Sequence, residues 1–315
     1  MNILITGAGG AATPMLISML VEKGRYTPIL ADMNLTPLIK SYDAISVQIP
    51  PANSKDFIDT IAKIVDEYNI KAIIPGVDEE LIPLAKYYSN CTDPVLVSPN
   101  EDIIKLTLDK YKLNKFLQEN GIDVPNSWHL REFYKIDEKQ TQKRLIAKPV
   151  FGRGSRGIYF SDSAGEAKYL AQYLSLRQPD TLFQEFIKGV EYTVSMVCST
   201  SGKVLGIVPK RIIVKRGITI SAITEKNHII DSYCRKIQNI LSATGPLNIQ
   251  LIINEEGIPY VFEINPRIST TTILTMKAGF DEIDIAIRDR LGEELPSLDW
   301  KEGIVLQRAW NNYFY

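Results

Sequence analysis

The chain has 315 residues of ordinary globular composition, long enough for two domains with substantial cores. Its 36 lysines and arginines stand against 37 aspartates and glutamates, a formal charge of -1, so no global positive field points to nucleic acid or an anionic membrane, and small polar ligands fit better. The three cysteines, Cys91, Cys198 and Cys234, are odd in number and lack C-x-x-C spacing, which suits a reducing compartment and argues against a disulfide framework or a zinc site.

No charged side chain precedes Glu22, yet a secretory leader is a poor fit. A basic n-region is missing, Gly7-Ala8-Gly9-Gly10 and Pro14 break the apolar run, and no small-residue cleavage site precedes Glu22-Lys23. Nor does any apolar run reach transmembrane length. The expectation is a soluble, unprocessed, cytoplasmic protein.

The first third alternates strand and helix signals. Ile3-Leu4-Ile5 is a short strand, followed by a glycine turn, a helix around 12–23, a strand at 28–31, a helix around 54–68, a strand at 72–75, a helix at 78–88 and a strand at 95–97. Such alternation predicts βαβ units on a parallel sheet. Residues 101–120 read as one helix, with Gly121 as its stop and Pro125 beyond. From Trp128 to Asn265 strands predominate, interrupted by helices near 163–174 and 225–243, the pattern of an α+β unit with antiparallel sheets. The boundary falls near 107, giving domains 1–107 and 108–315.

In the N-terminal turn, Thr6-Gly7-Ala8-Gly9-Gly10-Ala11-Ala12 satisfies G-x-G-x-x-A after a strand, and Asp32 ends the second strand. That is a dinucleotide fingerprint and the basis of a rival reading, an NAD-dependent oxidoreductase or epimerase. Small-residue turns also serve close helix–strand packing at any βα junction. The segment Gly76-Val77-Asp78-Glu79-Glu80 reads as a helix start with an acidic first turn.

More specific is Lys148-Pro149-Val150-Phe151-Gly152-Arg153-Gly154-Ser155-Arg156-Gly157. A lysine at a strand end offers a point charge for phosphate, and the glycines let backbone N–H groups approach oxyanions closely. The lysine precedes the glycines and no G-K-[ST] follows, so this is not a Walker A loop. Phe183-Gln184-Glu185-Phe186-Ile187-Lys188-Gly189-Val190-Glu191 reads as a strand, a short connection and a second strand opening with a carboxylate. Backbone groups of 185–187 could face a nucleobase there, with Glu191 accepting from ribose hydroxyls.

Residues 248–267 carry most of the functional information. Asn254-Glu255-Glu256-Gly257 forms a four-residue turn that pairs Ile253 with Ile258, Gln250 with Val261 and Asn248 with Glu263. Alternation then puts Asn248, Gln250, Glu263 and Asn265 on one face, and Ile249, Leu251, Ile253, Tyr260, Phe262 and Ile264 on the other. A carboxylate flanked by side-chain carbonyls is an all-oxygen set suited to Mg2+, which takes one or two protein carboxylates and completes its octahedron with phosphate and water. Arg267 would project from the same side towards those phosphates. The competing reading is an edge hairpin with a solvated polar face.

The order Asp109-Lys110, Lys148-Pro149 with its glycine loop, Gln184-Glu185 with Glu191, then Asn248-x-Gln250 and Glu263-x-Asn265-Pro266-Arg267 resembles the ATP-grasp superfamily. It is most similar to the synthetase domains of carbamoyl-phosphate synthetase and to small carboxylate-amine ligases. The resemblance covers nearly the whole chain. It implies a fold that is α/β and α+β: a Rossmann-like pre-ATP-grasp domain, then an ATP-grasp domain holding the nucleotide between two α+β subdomains. It further implies that Lys110 and Lys148 contact ATP phosphates, that Gly152, Gly154, Ser155 and Gly157 cover them, and that Glu185, Phe186 and Ile187 hold adenine while Glu191 holds ribose. Gln250, Glu263 and Asn265 would bind one or two Mg2+ ions, with Mn2+ as a substitute, and Arg267, Lys148 and Arg211 would be catalytic. Lys210-Arg211 and Lys215-Arg216 fall where relatives place basic residues near an acyl-phosphate, and the sequence leaves open which of the four acts.

Gln250 stands where many relatives have an acid, so only one carboxylate of the metal set is assured. The implied activity is ATP-dependent ligation of a small carboxylate to an amine, with a homodimer left open and a non-catalytic ATP-binding accessory protein as a further alternative. The chain's end soon after the hairpin suggests a free-standing ligase. The aromatic tail Trp310-Asn311-Asn312-Tyr313-Phe314-Tyr315 is expected to dock on the body or on a partner.

Overall fold

Short apolar strands with helices between them build the N-terminal part. The computed structural model describes residues 1–136, 143–154, 156–309, 312 and 314. In it β1 (Asn2–Thr6), α1 (Thr13–Glu22), β2 (Thr27–Asp32), α2 (Pro37–Lys40), β3 (Ile45–Gln48), α3 (Phe57–Glu67), β4 (Ala72–Ile74), α4 (Asp78–Tyr88) and β5 (Val95–Leu96) form a parallel sheet of order β3-β2-β1-β4-β5. Ile3 and Ile5 pack on the α1 side with Leu16, Ile17 and Leu20, whereas Leu4 packs with Phe57, Ile61, Leu81 and Leu84 on the other. Burial on both faces is why these strands lack polar alternation.

The segment expected to be one helix is two, α5 (Glu101–Leu108) and α6 (Lys110–Glu119). Asp109 breaks it: its backbone is extended (φ -92, ψ 96) and its carboxylate accepts the Lys112 N–H at 2.9 Å, so its capping preference overrides helix continuation.

Two antiparallel sheets follow. The smaller contains β6 (Ser127–His129), β7 (Leu145–Pro149), β8 (Tyr159–Ser161) and β9 (Thr181–Glu185) in the order β6-β9-β7-β8, covered by α7 (Leu130–Phe133) and α8 (Ala164–Arg177). The larger has β10 (Gly189–Cys198), β11 (Val204–Arg216), β12 (Ile218–Thr224), β13 (Gly245–Asn254), β14 (Pro259–Asn265) and β15 (Val305–Gln307), in the order β14-β13-β10-β11-β12-β15. One face of it packs Val194, Met196, Ile249, Leu251, Val261 and Ile264 against α9 (His228–Leu241) and α6. With that face apolar, the polar positions alternating with it are gathered on the other. Helices α10 (Thr272–Ala278) and α11 (Glu282–Leu291) share a core with the α1 side of the parallel sheet through Phe280, Ile283 and Ile287. Helix α10 lies where the run Ser269-Thr270-Thr271-Thr272 suggests a helix start after Arg267, whereas α11 and β15 are elements the sequence reading did not mark. No helix among the described residues is long and apolar enough to cross a membrane. Phe314 of the aromatic tail is exposed, and Trp310, Asn311, Tyr313 and Tyr315 lie outside the described residues.

The start of α4 is pinned to β1. The Thr6 hydroxyl donates to Glu80 and accepts the Gly76 N–H at 3.2 Å, and a Cβ at Gly76 would lie 2.2 Å from the Thr6 carbonyl oxygen. Gly76→Ala therefore has to push backbone from backbone; a loss of about 1–3 kcal/mol is expected in denaturant unfolding. Burial raises the Glu80 carboxyl to about 7, with Asp32 and Glu79 adding to the shift and the Thr6 hydrogen bond opposing it. A raised folded-state pKa means the folded protein keeps a proton that the unfolded chain releases near pH 4.3, so stability should fall as pH rises from there to about 7, by on the order of 3 kcal/mol. Glu80→Gln should flatten that part of the stability–pH curve; an unchanged slope would refute the assignment.

Candidate active site

The polar face of the larger sheet is organised by the β13–β14 hairpin, whose register differs from the simple alternation in two places. The turn takes one residue more than expected: Asn254 accepts the Glu256 and Ile258 N–H groups through its side chain, and Ile253 faces Pro259 rather than Ile258. A bulge then inserts Phe262 between the Leu251–Val261 and Gln250–Glu263 pairs. Each shift alone would reverse the faces, but together they move the register by two and restore them. Gln250 therefore stands opposite Glu263 and Asn248 opposite Asn265, still on one face. Between the shifts the faces are exchanged: Val261 enters the core, and Phe262, expected there, turns to the polar side, its ring 5.4 Å from the Lys148 ammonium.

Opposite this face lies the end of β7. Lys148 is buried, donating to Gln184 Oε1 at 2.9 Å and to the Phe262 carbonyl at 3.3 Å. Burial lowers its pKa to about 8; Glu263 opposes the shift, while Lys110 and Lys215 add to it. Lys110, at the first turn of α6, lies 3.9 Å from Glu263 Oε1 and donates to the Gly152 carbonyl at 2.6 Å, so it ties the glycine loop to the metal-type face. Gly152 and Gly154 have φ of 127 and 71, conformations that favour glycine. Gly157 packs against Pro149, and Arg153 pairs with Glu79 at 3.0 Å. Ser155, expected in the cover, lies outside the described residues.

At the β9 end, Glu185 is buried against Asn126 (3.0 Å) and Lys143 (2.5 Å), and the Phe186 N–H donates to the Arg144 carbonyl at 2.9 Å. The Arg144 guanidinium lies between the Phe160 and Phe186 rings, at 5.0 and 4.8 Å. Ile187 sits in the connection to β10. Glu191, at the start of β10, is paired with Lys215.

The four basic residues of β11 separate. Lys210 shares the polar face, since it pairs with Thr193, whose hydroxyl donates to Asn248 at 2.7 Å. It is fully buried, donates to Ser195 Oγ at 2.6 Å and reaches Glu282 through that hydroxyl; burial lowers its pKa to about 8. Arg211 does not share that face. It pairs with Tyr192 across the ladder, where Glu225 takes both the arginine and the Tyr192 hydroxyl at 2.7 Å, so strand alternation does not bring it to the face that holds Glu263. Lys215 returns to the polar face, and Arg216 is exposed.

Arg267 is held by a residue that sequence reading treated as a helix start. Its Nε donates to Asp78 Oδ1 at 2.6 Å, with both side chains nearly buried. Asp78, Glu79 and Glu80 thus engage Arg267, Arg153 and Thr6 respectively rather than capping α4, whose start has no side-chain cap. Only the tertiary fold brings residue 78 to residue 267.

Among the described residues no three His, Cys, Asp or Glu side chains gather as a metal cage. Glu263 with the carbonyl oxygens of Gln250 and Asn265 fits a hard divalent ion that brings phosphate oxygens of its own. The N-terminal glycine turn is a poorer anion site. Asp32 already accepts the Gly9 N–H at 2.8 Å, so that donor is taken by a carboxylate, and Arg308 ties the turn to the rest of the protein through the Ala11 (3.1 Å) and Thr270 (2.6 Å) carbonyls. The cavity beside this turn, about 940 Å³, has mostly apolar walls that include Met15, Met19, Leu38 and Ile220.

Comparison with known proteins bears on the family and the fold. Residues 107–271, more than half of the chain, match the ATP-grasp domain family. The carbamoyl phosphate synthase large chain of Clostridium perfringens is 26% identical over 263 residues, covering 78% of this chain but 24% of that one. A biotin carboxylase structure from Campylobacter jejuni superposes with a TM-score of 0.71 at 18% identity, covering 94% of this chain and 72% of the other. An L-amino acid ligase structure from Bacillus licheniformis gives 0.69 at 18% identity, covering 92% and 74%. At such identities the two structures speak for the fold alone, and this chain spans about a quarter of the carbamoyl phosphate synthase it matches. With the family match running from α6 through the β13–β14 hairpin, the chain belongs to the ATP-grasp family.

Proposed function

We propose that this protein is an ATP-dependent ligase that activates a small carboxylate as an acyl-phosphate and transfers the acyl group to a small amine. The observation that carries this reading is the convergence of Lys110 and Lys148 on Glu263 beneath the glycine loop, with Gln250 and Asn265 beside the carboxylate. In the first step a carboxylate oxygen attacks the γ-phosphorus and the bond to the bridging oxygen breaks, releasing ADP. In the second the amine nitrogen attacks the acyl carbon, phosphate leaves and the nitrogen loses a proton. Phosphorylation turns a poor leaving group into a good one, and what remains for the protein is alignment and neutralisation of charge.

On this reading residues 1–107 form a Rossmann-like unit and 108–315 the ATP-grasp domain, with nucleotide between the four- and six-stranded sheets. Lys110 and Lys148 hold phosphates, and Gly152, Gly154 and Gly157 form the backbone of a cover that excludes water. Glu185, Phe186 and Ile187 border adenine and Glu191 the ribose. Glu263, Gln250 and Asn265 would hold Mg2+ or Mn2+, which when bound neutralises phosphate charge. Arg267 stabilises the transferring phosphoryl group, exchanging or sharing its contact with Asp78. Arg211 has no part in the reaction. The NAD-dependent alternative is disfavoured by the Asp32 carboxylate on the Gly9 N–H.

Mg-ADP at about a hundred times its Kd should stabilise the protein by about 2.7 kcal/mol, read as a raised melting temperature, and NAD should not. Stabilisation by NAD and none by Mg-ADP would reverse the choice. Screening carboxylates against amines for ADP release, with hydroxylamine as an acyl-phosphate trap, identifies the substrates; Mg-ADP binding without acid-dependent ADP release would mark an accessory protein instead. With substrates in hand, Glu263→Gln should stay folded and lose at least about two orders of magnitude in ADP formation. Arg267→Ala should lower kcat more than it raises KM for ATP, because its interaction strengthens in the transition state. Single-turnover phosphoryl transfer at the unmodified rate would show that Arg267 has been given the wrong role.

A further inference from the structure

The cavity of about 940 Å³ beside the glycine turn takes no part in the nucleotide arrangement described above. Its volume suits a whole small molecule rather than a trapped water. One wall is the side of α1 that the core does not use. Leu16, Ile17 and Leu20 face the parallel sheet, whereas Met15, Ser18, Met19 and Glu22 recur at helical spacing on the cavity side. Opposite them stand Ile218 and Ile220 of β12 and Val305 of β15. Met15 is 54% exposed and Val305 56%, so large apolar side chains from two parts of the fold line a depression open to water. An apolar occupant would be stabilised there by the area it removes from water. The aromatic tail leaves this wall at Ala309, yet Phe314 is 93% exposed and does not fill it.

Charge in the walls narrows the choice of occupant. Arg308 and Lys277 line the cavity against a single acid, Glu22, while Asp32, Glu79 and Glu80 at the end of the parallel sheet lie outside its lining. The Arg308 guanidinium donates to the carbonyls of Thr219 (2.9 Å), Ala11 (3.1 Å) and Thr270 (2.6 Å), so among the described residues it has acceptors but no counter-charge. Burial disfavours its charged form, and a carboxylate brought beside it would favour that form again. The direction of the cavity follows from the same contacts. Thr270 is three residues beyond Arg267, so the Arg308 end adjoins the segment proposed to meet the transferring phosphoryl group. From Ala11, which also holds Arg308, Met15 and Met19 lie one and two turns further along α1, so the apolar walls lead away from that end.

We infer that this cavity is a specificity pocket that receives the apolar body of the carboxylate substrate with its carboxylate towards the Arg308 end, so that the acid activated here carries a hydrocarbon chain or an aromatic ring rather than being bicarbonate or a short polar acid. The inference rests on the proposed function, which supplies an acid to be activated, and it names the class of that acid. Met15 and Met19 suit such a wall, because unbranched thioether side chains adapt to apolar groups of different shape.

The test is ADP release by the whole chain with Mg-ATP and hydroxylamine, over bicarbonate, succinate, phenylacetate and the straight-chain acids from acetate to octanoate. Along the straight-chain series kcat/KM for the acid should rise about three- to fourfold with each added methylene until the cavity is filled, and bicarbonate and succinate should be poor substrates. Met15→Glu, which sets a carboxylate among the apolar walls, should lower the ratio of octanoate to acetate kcat/KM at least about tenfold, and Met15→Leu should keep most of it. Because Met15 is exposed, both variants should melt at the wild-type temperature in the absence of ligand. Rates independent of chain length, a preference for bicarbonate or succinate, no release with any acid of this series, or an unaltered ratio in Met15→Glu would each overturn the inference while leaving the proposed function standing. Absence of acid-dependent release across the full carboxylate screen, with Mg-ADP still bound, would overturn both.

Discussion

A lysine ammonium buried as deeply as that of Lys148 has lost most of its hydration, and the surrounding structure is arranged to replace it. Gln184 offers an amide oxygen, the Phe262 backbone a carbonyl, the Phe262 ring its π face and Glu263 a counter-charge. These groups come from both antiparallel sheets, so the burial of one charge fixes how the sheets face one another. The hairpin bulge belongs to the same constraint. Without the extra residue, alternation from Val261 would leave Phe262 opposite Gln250 and turn Glu263 to the core, away from Lys148. The compensation is incomplete, since burial still lowers the Lys148 pKa to about 8, and an anion brought beside it would favour the charged form.

The parallel sheet takes part in this arrangement through a few side chains. Asp78 holds Arg267 and Glu79 holds Arg153, so adjacent residues at the start of α4 meet one basic residue beyond β14 and another in the glycine loop. Arg308 joins the glycine turn to the backbone at Thr270, and Arg290 donates to the Ser98 carbonyl. Nearly buried pairs such as Arg267–Asp78 cost desolvation and add little net stability, but removing one partner is destabilising, which makes them better at fixing relative position than at holding a fold together. The rigid link that needs explaining is therefore geometric, and Gly76, with no room for a Cβ against Thr6, sets where the acidic run can lie.

How much of this was legible in the sequence follows from the range of each signal. Local periodicity gave the βαβ alternation and the polar face of β13–β14. That face survived two register shifts only because they sum to two residues, a cancellation no alternation pattern reveals. The break at Asp109 was readable in principle, since Asp is a good N-cap, but the apolar spacing across it suggested continuity. Bulges in the pairing of β11 with β12 made facing unreadable for Lys215, and neighbouring Arg211 and Lys210 point to opposite faces with nothing in composition to separate them. The partners of Asp78 and Glu79 depend on tertiary contacts, so an acidic first turn looked like helix capping.

The glycine loop shows how the same groups can serve binding and closure. Its glycines lower the cost of unusual backbone angles but raise the conformational entropy of the open loop, so a cover built this way needs anchors to define its closed position. Lys110 supplies one through the Gly152 carbonyl, and Arg153 supplies another through Glu79. The Lys110 anchor is also 3.9 Å from Glu263, so on the proposed reading a phosphate drawn to that ammonium would lie beside the loop. Loop position and the proposed phosphate binding would then be linked by a shared cation. On the proposed reading, the exclusion of water that an acyl-phosphate requires would follow from occupancy of the site rather than from a separate closing element.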